Sequence, residues 1–199
     1  NYKNIKTFEG SCVKVTPYVT IRSIKILVKV SICFLQLLAQ LTEVGNINRE
    51  QFLNRFHMMK NTGSYYIIVI EDVNTEKVVA TATLVVEQKF IHNCAVRGRL
   101  EDVVVNSKYR GKHLGKLIIK IILQLSRYLR CYKLSLDCKD HLIPFYESLG
   151  FKREPNGEIL LSPCPDVLEG PSSISPQLSA SQSQSQSEFA FVAFCKSCS

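Results

Sequence analysis

Apolar and polar residues recur with two different periods along the middle of the chain, which predicts a mixture of helices and strands. Apolar side chains at spacings of three and four residues follow one face of a helix. Four segments are predicted to be helical: residues 30–43, 48–60, 113–130 and 141–149. The second begins with Asn48 and has Gln51 three residues later, which is the spacing of a capping box, so we expect a helix N-terminus there.

Runs rich in β-branched and aromatic residues lie between these helices and predict strands. They are residues 65–71, 78–87, 99–105 and 132–138, followed by a last strand from Phe151 onward. Residues 74–76 separate the first two strands, which we expect to pair as an antiparallel hairpin. Because helices and strands alternate, the expected fold class is α/β, with helices packed over one mixed sheet of the α+β kind.

The two ends of the chain differ from this central part. Residues 1–30 mix β-branched residues with Lys and Arg in no sustained period, and residues 162–188 are mainly Ser, Gln and Pro. Such a tail cannot bury enough apolar surface to fold, so we expect it to be disordered. The predicted organisation is a divergent segment at 1–30, one folded domain at 31–160 and a Ser/Gln-rich tail at 161–199.

Composition narrows the class of protein. The chain has 199 residues, of which 46% are hydrophobic and 21% charged, as in an ordinary globular domain. The most apolar early run, residues 30–41, is shorter than the roughly twenty residues of a membrane-spanning helix, so no integral membrane span is expected.

The net charge of +8 comes entirely from residues 96–133, which carry ten Lys and Arg against two acidic residues. A patch this local fits a polyphosphate ligand as readily as a nucleic acid, whose footprint normally spreads further.

Cysteine and histidine spacing indicates neither a disulfide framework nor a metal site. The eight cysteines are too few for a disulfide scaffold in a chain of this length. Cys195 and Cys198 form an isolated pair, and none of the four histidines has another at the i, i+4 spacing of a helical zinc motif. We therefore expect reduced thiols and no metal.

A basic turn joins the strand predicted at 99–105 to the helix predicted at 113–130. Backbone N–H groups and the positive end of the helix dipole converge beyond such a turn, which favours phosphate. The spacing differs from a Walker A loop, because Gly111 and Gly115 are one residue too close and Lys116 is followed by Leu117. On these residues alone, a phosphate loop and an ordinary strand–turn–helix both remain open.

Two motifs together resemble the GNAT superfamily of N-acetyltransferases. Residues 110–115, Arg-Gly-Lys-His-Leu-Gly, are similar to its pyrophosphate loop, Arg/Gln-x-x-Gly-x-Gly/Ala, and residues 144–151 are similar to its later Phe-Tyr-x-x-x-Gly-Phe motif. Further segments resemble the eukaryotic branch of that superfamily that acetylates glucosamine 6-phosphate: residues 40–43, 80–84, 89–92, 101–105 and 131–133. The resemblance covers about residues 35–151 and implies a GNAT-type acyl-CoA N-acyltransferase fold.

This resemblance implies an enzyme that transfers the acetyl group of acetyl-CoA to the amine of D-glucosamine 6-phosphate. The attack is direct, in a ternary complex without a metal, and the product enters UDP-N-acetylglucosamine biosynthesis. Tyr146 is expected to protonate the departing thiolate, and Asp137 and Glu101 to hold or deprotonate the sugar ammonium. The thiols of Cys131 and Cys138 are expected to be structural, since direct transfer needs no nucleophile.

The same resemblance implies two sets of binding residues, a homodimer and a cytoplasmic location, with peripheral attachment to endomembranes as an alternative. The residues expected to hold acetyl-CoA are Val103, Val104, Val105, Arg110, Gly111, Lys112, His113, Leu114, Gly115 and Lys116. The residues expected to hold the sugar phosphate are Lys89, Phe90, Ile91, His92, Glu101, Asp102, Val103, Tyr132 and Lys133.

Three departures from the family pattern keep alternatives open. His113 stands where the loop prefers glycine, Leu142 stands where relatives commonly have Asn, and the basic residue of the family's last strand has no counterpart after Ile159. The chain could therefore acetylate another small amine or a protein amine, or bind acetyl-CoA without catalysis. Nucleic-acid binding ranks below both, because the basic segment lacks interleaved aromatic residues.

Overall fold

The structure is a computed structural model that describes residues 31–72, 74–155 and 159–160, and the backbone of residues 13–16, 19–22 and 161. The Ser/Gln-rich tail, for which the sequence predicts disorder, lies outside the described residues. The predicted α/β class is confirmed, since helices pack on a sheet that contains both parallel and antiparallel pairs.

Eight strands form one sheet in the order β1-β2-β3-β4-β5-β6-β8-β7. Every neighbouring pair is antiparallel except β5 and β6, which are parallel. The strands are β1 Val13–Thr16, β2 Val19–Arg22, β3 Tyr65–Asp72, β4 Lys77–Gln88, β5 Val96–Val105, β6 Cys131–Leu136, β7 Lys152–Arg153 and β8 Ile159–Leu161. The predicted hairpin is the antiparallel pair β3–β4.

In the described part of the chain, four right-handed helices accompany the sheet: α1 Ser31–Leu38, α2 Arg49–Thr62, α4 Leu114–Tyr128 and α5 Ile143–Glu147. The segment labelled α3, Ile91–Cys94, is a turn with left-handed backbone angles inside it. The capping box predicted at the start of α2 is confirmed, because the Asn48 side chain accepts from the Gln51 amide and the Gln51 side chain accepts from the Asn48 amide, each at 2.9 Å. Single 3₁₀ turns precede α4 and α5, at Ser107–Tyr109 and Asp140–Leu142.

Two predicted helices are shorter in the structure, and both differences have a local cause. The helix predicted at 30–43 ends at Leu38, because its buried face ends with Phe34 and Leu37 and the later Leu41 is exposed. The helix predicted at 141–149 is replaced by a 3₁₀ turn followed by α5, which begins beside Pro144. Proline is favoured in the first turn of a helix, where its missing N–H group costs no hydrogen bond.

Strands β1 and β2 were not predicted from the sequence, because residues 1–30 show no sustained period and β2 joins the sheet through the distant strand β3. β2 pairs with β3, from Val19 opposite Asp72 to Arg22 opposite Val69, and β1 then pairs with β2. The edge of β3 provides the hydrogen-bonding partners, so these strands need no strong pattern of their own.

Each face of the sheet has its own hydrophobic core. On one face α4 buries a row of isoleucines, including Ile118 and Ile122, and α5 adds Tyr146. On the other face α1 and α2 bury the side chains of Phe34, Leu37, Phe52 and Phe56. Helices therefore cover both faces of the sheet.

Candidate functional site

The parallel strands β5 and β6 separate near the middle of the sheet. Their pairing ends with Arg99 opposite Ser135, whereas β5 continues to Val105 along β4 and β6 ends at Leu136. We call the space between the two diverging strand ends the wedge. A strand that leaves its neighbour presents backbone N–H and C=O groups, which must bind other partners, so the wedge can receive an extended ligand.

A β-bulge on β5 lies at the wedge. Thr83 of β4 is opposite Glu101 and Thr81 is opposite Val104, so Asp102 and Val103 together face one residue of β4. Asp102 has a φ of 52°, in the left-handed region. Bulges re-aim backbone groups and are common next to active sites. Burial, and then the charge of Glu101, raise the pKa of Asp102.

The side chains of the three valines predicted to contact acetyl-CoA are in the core, as the sequence indicated. Val103 and Val105 pack against the core that contains α4, and Val104 is buried in the core that contains α1 and α2. Any contact that these residues make with a ligand in the wedge therefore involves their backbone groups.

The loop after β5 has the features of an anion site. α4 begins without a side-chain cap, and its first helical amide bond runs from Leu117 to the His113 carbonyl at 3.0 Å. The first N–H groups of a helix have no hydrogen-bond acceptor within that helix. Gly111 has a φ of 79°, and a Cβ there would meet no atom within 4 Å, so its backbone is open to a ligand. The side chains of Arg110, Lys112 and Lys116 are all exposed around this turn.

The residue that departs from the family loop has a left-handed backbone. His113 has a φ of 59°, a region in which glycine is unstrained and an L side chain is not. Gly115, two residues further, lies against α5, and a Cβ there would be 3.4 Å from Phe145 Cζ and 3.7 Å from Val105 Cγ2. The loop therefore retains glycine where α4 meets α5, and carries a side chain where the helix begins.

Three contacts fix this loop from outside it. The Tyr109 hydroxyl donates to Asp72 Oδ2 at 2.5 Å, and the Ser107 amide donates to Gln40 Oε1 at 2.9 Å. The Asn106 amide donates to the Val79 carbonyl at 2.8 Å. The Lys112 ammonium lies 4.8 Å from the centre of the Tyr109 ring, within cation–π distance. The hydrogen bond from Tyr109 is the main cause that lowers the pKa of Asp72.

Tyr109→Phe tests this anchor. We expect a loss of about 1 kcal/mol of unfolding free energy at pH 7, the usual value of one hydrogen bond, and a weaker affinity for acetyl-CoA. The hydrogen bond from Tyr109 favours the ionised form of Asp72. Its contribution to the unfolding free energy is therefore fully present above the ordinary Asp pKa, and it is lost as the pH falls through the lower pKa of Asp72 in the folded protein. Chemical denaturation at pH 7 and at a series of pH values from 3.8 downward checks this, since the deficit should shrink along the series. Tyr128→Phe, at a residue that is 62% exposed, is the control. An equal deficit at all these pH values would contradict it.

Tyr146 lies in α5, 6% exposed, between two other aromatic rings. Its ring centre is 5.2 Å from that of Phe145 and 5.7 Å from that of Phe151, both in edge-to-face geometry. Burial, and then the charge of Cys138, raise the pKa of Tyr146 to about 12. The hydroxyl is therefore protonated at neutral pH, as a proton donor must be. Burial also raises the pKa of Cys131 to about 11, so its thiol is not a nucleophile at neutral pH.

The two predicted carboxylates meet at one arginine. The Arg99 guanidinium contacts Glu101 through Nε and Asp137 through Nη2. Sequence reasoning missed Arg99, since nothing in the pattern of β5 indicates that its side chain reaches a residue beyond the end of β6. The hydrogen bond and charge of Glu101, with those of Asp137, raise the pKa of Arg99.

The residues predicted to hold the sugar phosphate are only partly brought together. The rings of His92 and Tyr132 lie 4.5 Å apart, and Lys89 pairs with Glu87 at 2.6 Å. Phe90 and Ile91 are instead exposed, at 96% and 59%, in the turn that includes α3. The backbone at His92 and the next two residues is left-handed, and the Lys89 amide donates to the Ala95 carbonyl at 3.0 Å, which closes this turn between β4 and β5.

Comparison with known proteins identifies the family. A model of the Acetyltransferase (GNAT) family matches residues 34–151. The chain belongs to this acetyltransferase family. Its GNAT fold is also that of a crystal structure of glucosamine-6-phosphate N-acetyltransferase from Arabidopsis thaliana. That structure aligns with a TM-score of 0.65 and 37% identity over 68% of this chain and 92% of that one.

Two curated relatives extend the comparison. A probable glucosamine 6-phosphate N-acetyltransferase of Drosophila melanogaster is 63% identical over 122 residues, 61% of this chain and 56% of that protein. A glucosamine 6-phosphate N-acetyltransferase of Dictyostelium discoideum is 41% identical over 66% of this chain and 83% of its own length. The chain therefore spans little more than half of the Drosophila protein and most of the Dictyostelium protein.

Neither a membrane-spanning helix nor a metal cluster occurs in the part of the GNAT chain that the structure describes. None of its helices is both long enough and apolar enough to cross a bilayer. Within the same residues, no group of three or more His, Cys, Asp or Glu is placed to hold a metal ion.

Proposed function

We propose that this GNAT protein transfers the acetyl group of acetyl-CoA to the amine of glucosamine 6-phosphate. The observation that carries the proposal is the Arg99 side chain, which joins the carboxylates of Glu101 and Asp137 across the wedge beside the bulge of β5. The uncapped basic start of α4 and the buried, protonated Tyr146 support it. The names of the Drosophila, Dictyostelium and Arabidopsis relatives support this choice of acceptor.

The residues around the wedge fit acetyl-CoA. The amides at the start of α4, with Arg110, Lys112 and Lys116, suit a pyrophosphate, and the open backbone of Gly111 permits close approach. The backbone of Val103 and Val105 would hold the pantetheine arm as an added strand. When bound there, acetyl-CoA supplies an activated acyl group as a thioester.

The side chains of Glu101, Asp137 and Tyr146 would carry out the proton transfers of the reaction. Glu101 and Asp137 attract the acceptor ammonium and can accept the proton that it must lose before it attacks. The amine nitrogen then bonds to the thioester carbonyl carbon and gives its second proton to water. The carbon–sulfur bond breaks, and Tyr146 donates its hydroxyl proton to the departing sulfur. The products are an N-acetylated amine and CoA with a free thiol, and solvent restores the Tyr146 proton.

The charges on one face of the sheet suit an acceptor with an amine at one end and a phosphate at the other. Cross-strand partners lie on the same face, and Arg97 is paired with Glu87 of β4 and with Lys133 of β6. The carboxylate end of this face begins at Glu101, about 13 Å further along β5 at the usual strand rise. A cluster with two cations and a pair of carboxylates on one face of the sheet suit an acceptor that carries both a phosphate and an amine.

The proposed active unit is a homodimer, and its product would supply UDP-N-acetylglucosamine biosynthesis. The support for a dimer is the exposed apolar pair Phe90 and Ile91, which lies next to the His92 and Tyr132 rings. Sedimentation velocity of the active protein should show twice the mass of the chain. Full activity in a species that sediments as a monomer would contradict the dimer.

A thiol-release assay tests the proposed function. Glucosamine 6-phosphate should release CoA thiol in stoichiometry with acetylated amine, glucosamine should require a much higher concentration, and glucose 6-phosphate should release none. Equal thiol release with glucose 6-phosphate would show hydrolysis rather than transfer. Calorimetric binding of acetyl-CoA without turnover of any amine would instead show the non-catalytic alternative.

A further inference from the structure

Arg99 lies at the point where β5 and β6 separate. It is the last residue of β5 that pairs with β6, and its side chain continues the connection by reaching Asp137 just beyond the end of β6. The same guanidinium contacts Glu101, two residues ahead on its own strand. One side chain therefore connects the two arms of the wedge and both carboxylates of the proposed acceptor site.

This bridge contributes little to stability. The side chain of Arg99 is 33% exposed, that of Glu101 41% and that of Asp137 68%. Ion pairs this open to water are worth about 0 to 1 kcal/mol, because water screens them and their side chains lose entropy. A substitution at Arg99 should thus separate any effect on the site from an effect on folding.

The other charged groups on this face define the surroundings of the bridge. On β4, Glu87 is paired with Lys89; on β5, Arg97 donates to Ser135 Oγ at 3.0 Å; on β6, Lys133 lies opposite Arg97. All of these are on the side of Arg99 away from Glu101. On the other side, Asp102 follows Glu101 on β5, and Cys138 and Asp140 follow Asp137 after β6. The three bridged residues themselves, Glu101, Asp137 and Arg99, sum to a net charge of minus one.

We propose that Arg99 is a positioning residue that sets the charge of the acceptor site and thereby favours the reactive, neutral form of the bound amine. The inference rests on the proposed amine acetylation. Two carboxylates with no cation between them would hold an ammonium so strongly that it would seldom lose its proton. With Arg99 between them, one net negative charge remains, which attracts the cation yet allows deprotonation. The Arg99–Asp137 contact also keeps the two carboxylates together across the wedge.

The pH dependence of kcat at saturating amine acceptor tests this role, because kcat reports the ionisation of groups in the bound complex. Arg99→Gln should move the acid limb of the kcat profile to higher pH by roughly one unit, since a charge within about 4–6 Å shifts a pKa by 1–3 units. At a pH on that limb, kcat should fall roughly tenfold. Arg99→Lys retains the charge but loses the fork that reaches both carboxylates, so it should keep the limb in place and raise KM.

Arg127→Gln is the matched control, because it removes one exposed arginine in the last turn of α4. It should leave the pH profile unchanged, and all three variants should bind acetyl-CoA and melt like the wild-type protein. An Arg99→Gln profile that superimposes on the wild-type profile overturns the inference and leaves the proposed function intact. A wild-type protein that acetylates no amine overturns both.

Discussion

Tyr146→Phe is expected to lower kcat roughly 100-fold, the usual size of a general-acid contribution, and to leave the melting temperature almost unchanged. The substitution keeps the ring that packs between Phe145 and Phe151 and removes only the hydroxyl. Without that proton donor, the thiolate must leave unprotonated, whereas binding of both substrates is unaffected. Steady-state kinetics with thiol detection should therefore show the loss in kcat, with both KM values close to wild type.

The raised pKa of Tyr146 adds a pH prediction with a definite sign. A hydroxyl with a pKa of about 12 is in its acid form throughout the neutral and mildly basic range, so Tyr146 should cause no fall in kcat below about pH 11. Tyr128→Phe, at an exposed ring, is the control and should keep full activity. Equal kcat in the wild-type protein and Tyr146→Phe would leave Tyr146 with a packing role alone.

The double substitution of Arg110 and Lys112 by Glu is expected to raise the Kd for acetyl-CoA at least tenfold, which corresponds to about 1.4 kcal/mol. Both side chains are exposed beside the uncapped start of α4, and reversing their charges places two carboxylates where a pyrophosphate would lie. Folding should be affected little, because neither side chain is part of a core. Isothermal titration calorimetry at low and high salt measures the change, which should shrink at high salt as screening increases.

The matched control reverses the same number of charges on the same helix but away from its start. Lys120 and Arg127 are exposed on the later turns of α4, so their replacement by Glu alters the net charge of the protein identically. This control should change the Kd less than twofold at moderate salt. An equal loss of affinity in both double variants would indicate a general effect of net charge and would contradict a site at Arg110 and Lys112.

Local patterns made most elements of the fold predictable. The capping box at Asn48 and the isoleucine face of α4 depend on residues three or four positions apart, and the structure has both. The hairpin of β3 and β4 depends on two adjacent strands and a short turn, and it is also present. The prediction failed at the end of α1 and in β1 and β2. There α1 packs on β4 and β5 and β2 pairs with β3, contacts that are all distant in the sequence, and β1 joins the sheet through β2.

The sequence by itself was enough to predict the basic loop, the motif that contains Tyr146 and the pair Glu101 and Asp137. These predictions depend only on residue types and spacings, which are similar to those of a known family. Only the tertiary structure showed that Arg99 joins those carboxylates and that Tyr109 is anchored to Asp72, each across 37 or 38 residues of chain. The separation of β5 from β6 and the bulge at Asp102 were likewise decided by strand pairing. The physical reason is that hydrogen-bond registers and ion pairs join residues that no local period relates, so they arise only when the sheet has formed.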